Sequence, residues 1–128
     1  MKAYFLVALF FVPLFVNAQN STEEVKRLLD ESLRTHVVKI HPPKGCECNE
    51  CAHTYTKGFK ITKHQEVAGV LRVYGLAKVQ YKNAFTGGTD TIDFYAEFRK
   101  VEGKTVLIRL RWRKNDCMKY KTLYELAG

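Results

Sequence analysis

Cys46, Cys48 and Cys51 fall within six residues of one another, His53 follows two positions on, and Cys117 stands near the C-terminus. A Cys-x-Cys-x2-Cys-x-His run, with Cys117 in reserve, holds enough ligands for a tetrahedral zinc site. The same four cysteines can instead form two disulfides, and the compartment decides between the two chemistries. Lys2 opens the chain, Tyr4 to Val16 is an apolar run of 13 residues, and Val16-Asn17-Ala18 closes it with small side chains. Residues 1–18 therefore read as a secretory signal peptide, too short for a membrane span, which needs about 20 apolar residues. Exported thiols are usually oxidised, so two disulfides are expected, with no metal and no other cofactor. One bridge must be local. Cys46–Cys48 would close too tight a loop, which leaves Cys48–Cys51 or Cys46–Cys51, and the other bridge ties this cluster to Cys117.

The remaining reactive side chains do not assemble into a catalyst. Against four histidines, His36, His41, His53 and His64, the only serines are Ser21 and Ser32. Both belong to an N-terminal helical region, Ser21 as its cap, so a Ser-His-Asp arrangement lacks a nucleophile. Asp93 and Glu97 fit the solvated side of a strand as well as a carboxylate pair. The chain reads as non-enzymatic.

Charge offers a second kind of chemistry. The chain carries 21 basic residues against 13 acidic and a formal net charge of +8. Arg109, Arg111 and Arg113 alternate along one strand, with Arg99 across a hairpin. Such a face attracts anionic polysaccharide, lipopolysaccharide or membrane headgroups, unless Asp93, Glu97 and Glu102 neutralise it from the neighbouring run. Nucleic acid is a poor match, because neither a recognition helix nor a clear aromatic platform is present. Asn20-Ser21-Thr22 is a glycosylation sequon at the start of the expected mature chain, which begins at Gln19.

The elements that position these groups follow from periodicity. Ser21 and Glu24 form a capping box, and Val25, Leu28, Leu29 and Leu33 recur at helical spacing to about His36. Glu23 and Arg27 stand in the favourable i,i+4 order. Val37, Val38 and Ile40 suggest a short strand, and residues 42–58 a polar, cysteine-rich loop. Residues 66–82 read as one curled strand or two strands meeting at Gly75. A turn at Thr86–Asp90 leads into a hairpin, in which Phe94, Phe98, Ile108, Leu110 and Trp112 are expected inside with Val106. Tyr120 to Leu126 suggests a last strand. Residues 19–128 thus form a single α+β domain, an amphipathic helix on a strongly curved antiparallel sheet.

Two families resemble parts of this chain. Leu76-Ala77-Lys78-Val79, Ile92-x-Phe94-x-Ala96, Arg99-Lys100-Val101-Glu102-Gly103, Cys117 and the closing Leu123–Gly128 are similar to the netrin-like module of tissue inhibitors of metalloproteinases, and Cys46-x-Cys48 to the Cys-x-Cys that opens those inhibitors. That resemblance implies an OB-like barrel. It departs from the family where the inhibitory wedge begins, since 27 mature residues precede Cys46 and deny it a free amine. Gln65-Glu66-Val67-Ala68-Gly69 resembles the Gln-x-Val-x-Gly loop with which cystatins enter papain-like proteases, although their Pro-Trp hairpin has no counterpart. The resemblance implies an inhibitory loop at Gln65, Val67 and Gly69. The sequence as a whole reads as a secreted binding protein whose partner is an extracellular protein, a protease in its sharpest form. The alternative is a cationic defence protein that binds anionic polysaccharide through Arg99, Arg109, Arg111 and Arg113.

Overall fold

The computed structural model describes residues 22–127, so the expected signal peptide, the Asn20 sequon and the expected Ser21 cap lie outside the described residues. The first element is a helix, α1, over residues 22–36. Val25, Leu29 and Leu33 recur every fourth residue on one face, and all three are buried. On the wet face Arg27 pairs with Glu31, not with Glu23, and Arg34 pairs with Asp30. Val37 continues the helical bond pattern by donating to the Leu33 carbonyl at 2.9 Å, and Lys39 then turns the chain at a φ of 52°.

Five strands follow: β1 Ala52–Val67, β2 Val70–Lys82, β3 Gly87–Val101, β4 Lys104–Arg113 and β5 Lys121–Glu125. They form one antiparallel sheet in sequential order, β1-β2-β3-β4-β5, with α1 against its inner face. The sheet is open. β1 and β5 are its edges, so the expected OB-like barrel does not form, while the helix-on-curved-sheet α+β architecture does. No helix among the described residues is long and apolar enough to cross a membrane.

Several boundaries differ from the sequence reading. The cysteine-rich loop ends at Cys51, because β1 already begins at Ala52, and residues 37–40 contribute only an isolated bridge from Ile40 to His53. Residues 66–82 do not meet at Gly75. They turn at Ala68-Gly69, and Gly75 lies in mid-strand, pressed against the Lys60 carbonyl and the Phe94 ring. Residues 86–90 are not the turn, since Asn83 folds the chain back by accepting from the backbone amides of Phe85 and Thr86, and β3 starts at Gly87. A bulge between Glu97 and Phe98 shifts the phase of β4, so Leu107 is buried with Leu110 and Trp112 while Val106 and Ile108 are half-exposed.

All four cysteines are bonded. Cys48–Cys51 is the local bridge, with Cα atoms 5.2 Å apart, and Cys46–Cys117 is the long one, with Cα atoms 5.4 Å apart. No thiolate remains for zinc.

Candidate functional site

Two hairpin tips lie side by side at one end of the sheet. Val67 pairs with Val70 across the first tip and Val101 with Lys104 across the second, so each turn contains two residues. Ala68 and Gly69 have φ of 52° and 79°, and Glu102 and Gly103 repeat those values. Positive φ at both positions is the type I′ turn, whose twist matches that of the strands it joins. Glycine suits the second position. Alanine and glutamate at the first carry the left-handed strain that asparagine or glycine would relieve. Because Val70 pairs with Arg99, the two tips are neighbours in the sheet.

The first tip stands clear of the body. Residues 62–69 are exposed without interruption, whereas the beginning of β1 alternates between buried and half-buried. Gln65, Val67 and Gly69 all lie in this exposed stretch. Val67 and Val101, 37% and 45% exposed, give each tip a partly exposed apolar side chain. Behind the tips a crevice of about 410 Å³ opens toward the start of α1, with Val25, Leu71 and Phe98 as its apolar wall and His64, Glu66 and Arg99 at its rim. The Thr105 hydroxyl, which also lines it, is buried without a partner among the described residues.

The arginine stripe is divided by ion pairing. Arg109 donates to Glu97 at 2.7 Å and to Glu125 at 2.6 Å, which raises its already high pKa. Arg113 donates to Asp93 at 2.8 Å and stacks over Tyr120 at 4.6 Å. Burial alone would push the Glu97 carboxyl up, but hydrogen bonds from Arg109 and Tyr95 outweigh it and hold the pKa below the usual range. Tyr95, largely buried and beside Glu97, is pushed up to about 12. Arg111 and Arg99 have no carboxylate in contact among the described residues. The carboxylates Asp93 and Glu97 act from the neighbouring strand, while Glu102 sits at the tip, away from the stripe.

At the opposite end of the sheet lies His53, which the sequence offered as a candidate zinc ligand and which the fold buries beside Lys114 and Asp90. His53 is fully buried, its Nδ1 2.9 Å from the Cys51 carbonyl and its Nε2 without a partner among the described residues. Burial holds its pKa below the ordinary histidine value. Lys114, nearly as deep, bonds Asp90. Burial would raise the Asp90 carboxyl, but Lys114 and the Thr91 amide keep it low. No local spacing announces this cluster, since Asp90 and Lys114 meet only through the β3–β4 register, in which Asp93 faces Arg113. His53 is closed to any substrate, and with both disulfides nearby the cluster anchors the fold. No protein-family model matches this chain, and no curated protein or solved structure matches it.

Proposed function

We propose that this is a secreted, non-enzymatic binding protein that inserts the edge formed by its two hairpin tips into a concave extracellular partner, and that the partner is a papain-like protease. The observation that carries the reading is the position of Gln65–Gly69. A segment that resembles a cleft-entering loop occupies the exposed tip of a tight hairpin, next to a second tip. A two-residue turn is narrow and pre-ordered, so it enters a cleft with little entropy left to lose. Val67 and Val101 supply apolar contact at its leading edge, and the free backbone groups of the tip supply hydrogen bonds.

The netrin-like alternative fits less well. Cys46 is bonded to Cys117 and is preceded by α1, so it presents no free amine to a protease's zinc, and the open sheet around one helix favours the hairpin-loop reading. Two disulfides in a small domain fit an oxidising, extracellular setting. The second tip carries Glu102-Gly103 in place of Pro-Trp, and Trp112 is in the core, so binding would rest chiefly on the first tip. The test is inhibition of a papain-like protease by the disulfide-intact domain. The expected result is inhibition at micromolar concentration, abolished by Val67→Asp with the unfolding midpoint preserved. A parent protein that fails to inhibit, or a Val67→Asp variant that inhibits equally well, overturns the reading.

A further inference from the structure

The outer face of the sheet, away from α1, is organised in cross-strand rows. Gln65, Arg72, Glu97, Arg109 and Glu125 form one row, and Lys63, Tyr74, Tyr95, Arg111 and Thr122 the next. Lys60, Leu76, Asp93 and Arg113 form a third, and Lys78 with Thr91 a fourth. Directly opposed residues share a face, so these four rows gather seven cations and three carboxylates on one surface. Ring contacts confirm the shared face: Lys63 lies over Tyr74 at 5.7 Å, Tyr74 meets Tyr95 at 4.8 Å, and Arg113 covers Tyr120.

Every carboxylate in these rows is engaged. Glu97 and Glu125 are held by Arg109, and Asp93 by Arg113. Lys60, Lys63, Arg72, Lys78 and Arg111 are left without a carboxylate within ion-pair distance among the described residues. Strand geometry spreads these five over a field of roughly 20 Å along the strands and about 14 Å across them. The helix contributes no such surplus, because Arg27 and Arg34 are matched by Glu31 and Asp30.

We propose that this outer face binds a linear sulfated polysaccharide, centred on Arg111 and the lysines of β1, with Arg109 and Arg113 serving to hold the strands together. A broad field of separate cations matches the evenly spaced sulfates of a flexible chain, and the Arg111 guanidinium can bind a sulfate with two parallel donors. Insertion into a lipid surface would need exposed apolar side chains here. Leu76 is the one large exposed apolar residue in the four rows, whereas Phe85, the most exposed in the domain, is on the β2–β3 loop. Stacking of nucleic-acid bases would need open aromatic faces, but Lys63 sits over Tyr74, Arg113 over Tyr120, and Tyr95 is buried. The proposal is independent of the tip reading, since Gln65 is the one tip residue in these rows.

The test measures retention of the disulfide-intact domain on immobilised heparin across a salt gradient, with solution affinity for heparin alongside. Replacing Lys60, Lys63, Lys78 and Arg111 with Gln is expected to weaken binding by about tenfold or more at physiological salt and to flatten its salt dependence, because several screened contacts vanish together. A charge-matched control replaces the exposed, off-face Lys26, Lys39, Lys44 and Lys119 with Gln and is expected to bind nearly as well as the parent. Equal losses in the two variants would show non-specific attraction to net charge and overturn the site, as would undiminished binding by the face variant. Arg111→Gln alone serves as a second variant should the quadruple substitution fail to fold. It is expected to lower the eluting salt concentration, and an unchanged value refutes Arg111 as the centre. Phosphatidylserine vesicles and single-stranded DNA are run in parallel. Affinity for either that equals or exceeds affinity for heparin overturns the polysaccharide as occupant.

Discussion

Gly75→Ala should destabilise the domain far more than any other glycine-to-alanine change in the sheet. Gly75 faces Ile61 on β1 and Phe94 on β3, at the middle of the strand that joins the tip hairpin to the core. A methyl group there would meet the Phe94 ring at 2.5 and 2.6 Å and collide with the Lys60 carbonyl. Carbon atoms rest at about 3.5–4.0 Å, so the overlap on the ring alone is roughly 1 Å. Neither neighbour can yield cheaply. Phe94 is fully buried and packs edge-on against Phe59 at 6.0 Å, and the Lys60 carbonyl belongs to the backbone of the adjoining strand. Overpacking costs about 1–3 kcal/mol, and parting β1 from β2 locally adds about 1 kcal/mol for each hydrogen bond lost. The entropy gained from a stiffer unfolded chain returns only about 0.4–1 kcal/mol. A net loss of about 3 kcal/mol is expected, read as a lower denaturant midpoint at unchanged slope. Gly69→Ala is the control, because a methyl there meets nothing within 4 Å and suffers only from its φ of +79°. If Gly75→Ala unfolds at or above the midpoint of Gly69→Ala, the close approach of the three strands at Gly75 is refuted.

Leu110→Ala should cost about 2–5 kcal/mol as a fully buried position, while half-exposed Ile108→Ala should cost clearly less; similar midpoints would deny the bulge its shift of phase. Ala68→Gly should stabilise the domain by about 0.5–1 kcal/mol, because it removes left-handed strain and returns part of the gain as unfolded-state entropy; a lower thermal midpoint would count against that turn geometry. Stability should fall on acidification. The depressed pKa of His53 gives stability that is present above its unfolded value of 6.5 and lost as pH falls through its folded value, and the depressed Asp30, Asp90 and Glu97 extend the loss into the carboxylate range. A His53→Leu variant whose midpoint keeps the parent's slope between pH 5 and 7, a window set by the ordinary histidine value, would remove His53 from that account. Opening Cys46–Cys117, which spans 71 residues, should cost about 4 kcal/mol in the chain-entropy account, against about 2 for Cys48–Cys51; equal losses for Cys117→Ser and a Cys48→Ser/Cys51→Ser pair would contradict that ordering.

The parts of the fold legible in the sequence are those governed by one unbroken period. Val25, Leu29 and Leu33 announce the buried face of α1, and the alternation of Ile92, Phe94, Ala96 and Phe98 announces that of β3. The alternation on β4 is equally regular, yet it misleads, because one bulge residue exchanges Ile108 for Leu107 and nothing in the side-chain pattern marks it. The start of β1 was hidden for another reason. Its inward residues include His53 and Tyr55, polar side chains that become core only because the Cys51 carbonyl and Asp30 partner them. Tyr55 donates to Asp30 at 2.8 Å from a residue 25 positions away, a pairing that composition cannot reveal. The turn at Ala68-Gly69 was not legible from periodicity, because Val67, Gly69, Leu71 and Val73 alternate straight through it. The basic face was legible only as a surplus of charge: which arginines remain free depends on Glu97, Asp93 and Glu125 arriving across three strand boundaries.

These features divide the domain into an anchored end and a presented end. Both disulfides, buried His53 and the Lys114–Asp90 pair all gather where β1 begins and β4 ends, far from the tips. There the chain has the least regular structure, and covalent and ionic ties reinforce the apolar packing that Val37, Ile40 and Met118 contribute. Toward the tips the apolar core takes over through Phe94, Phe98 and the face of α1, and beyond Ile61 the β1 edge has only its pairing with β2 to hold it. A binding edge benefits from that arrangement. Two-residue turns keep each tip stiff over its last few residues, while the exposed stretch of β1 would let the proposed binding edge settle against a partner without disturbing the core. The Glu97–Arg109–Glu125 ion pairs cross the sheet just below the tips and tie β3, β4 and β5 together where packing thins out. Arg109 is then best understood as part of that brace, which leaves anion recognition to the cations the brace does not use.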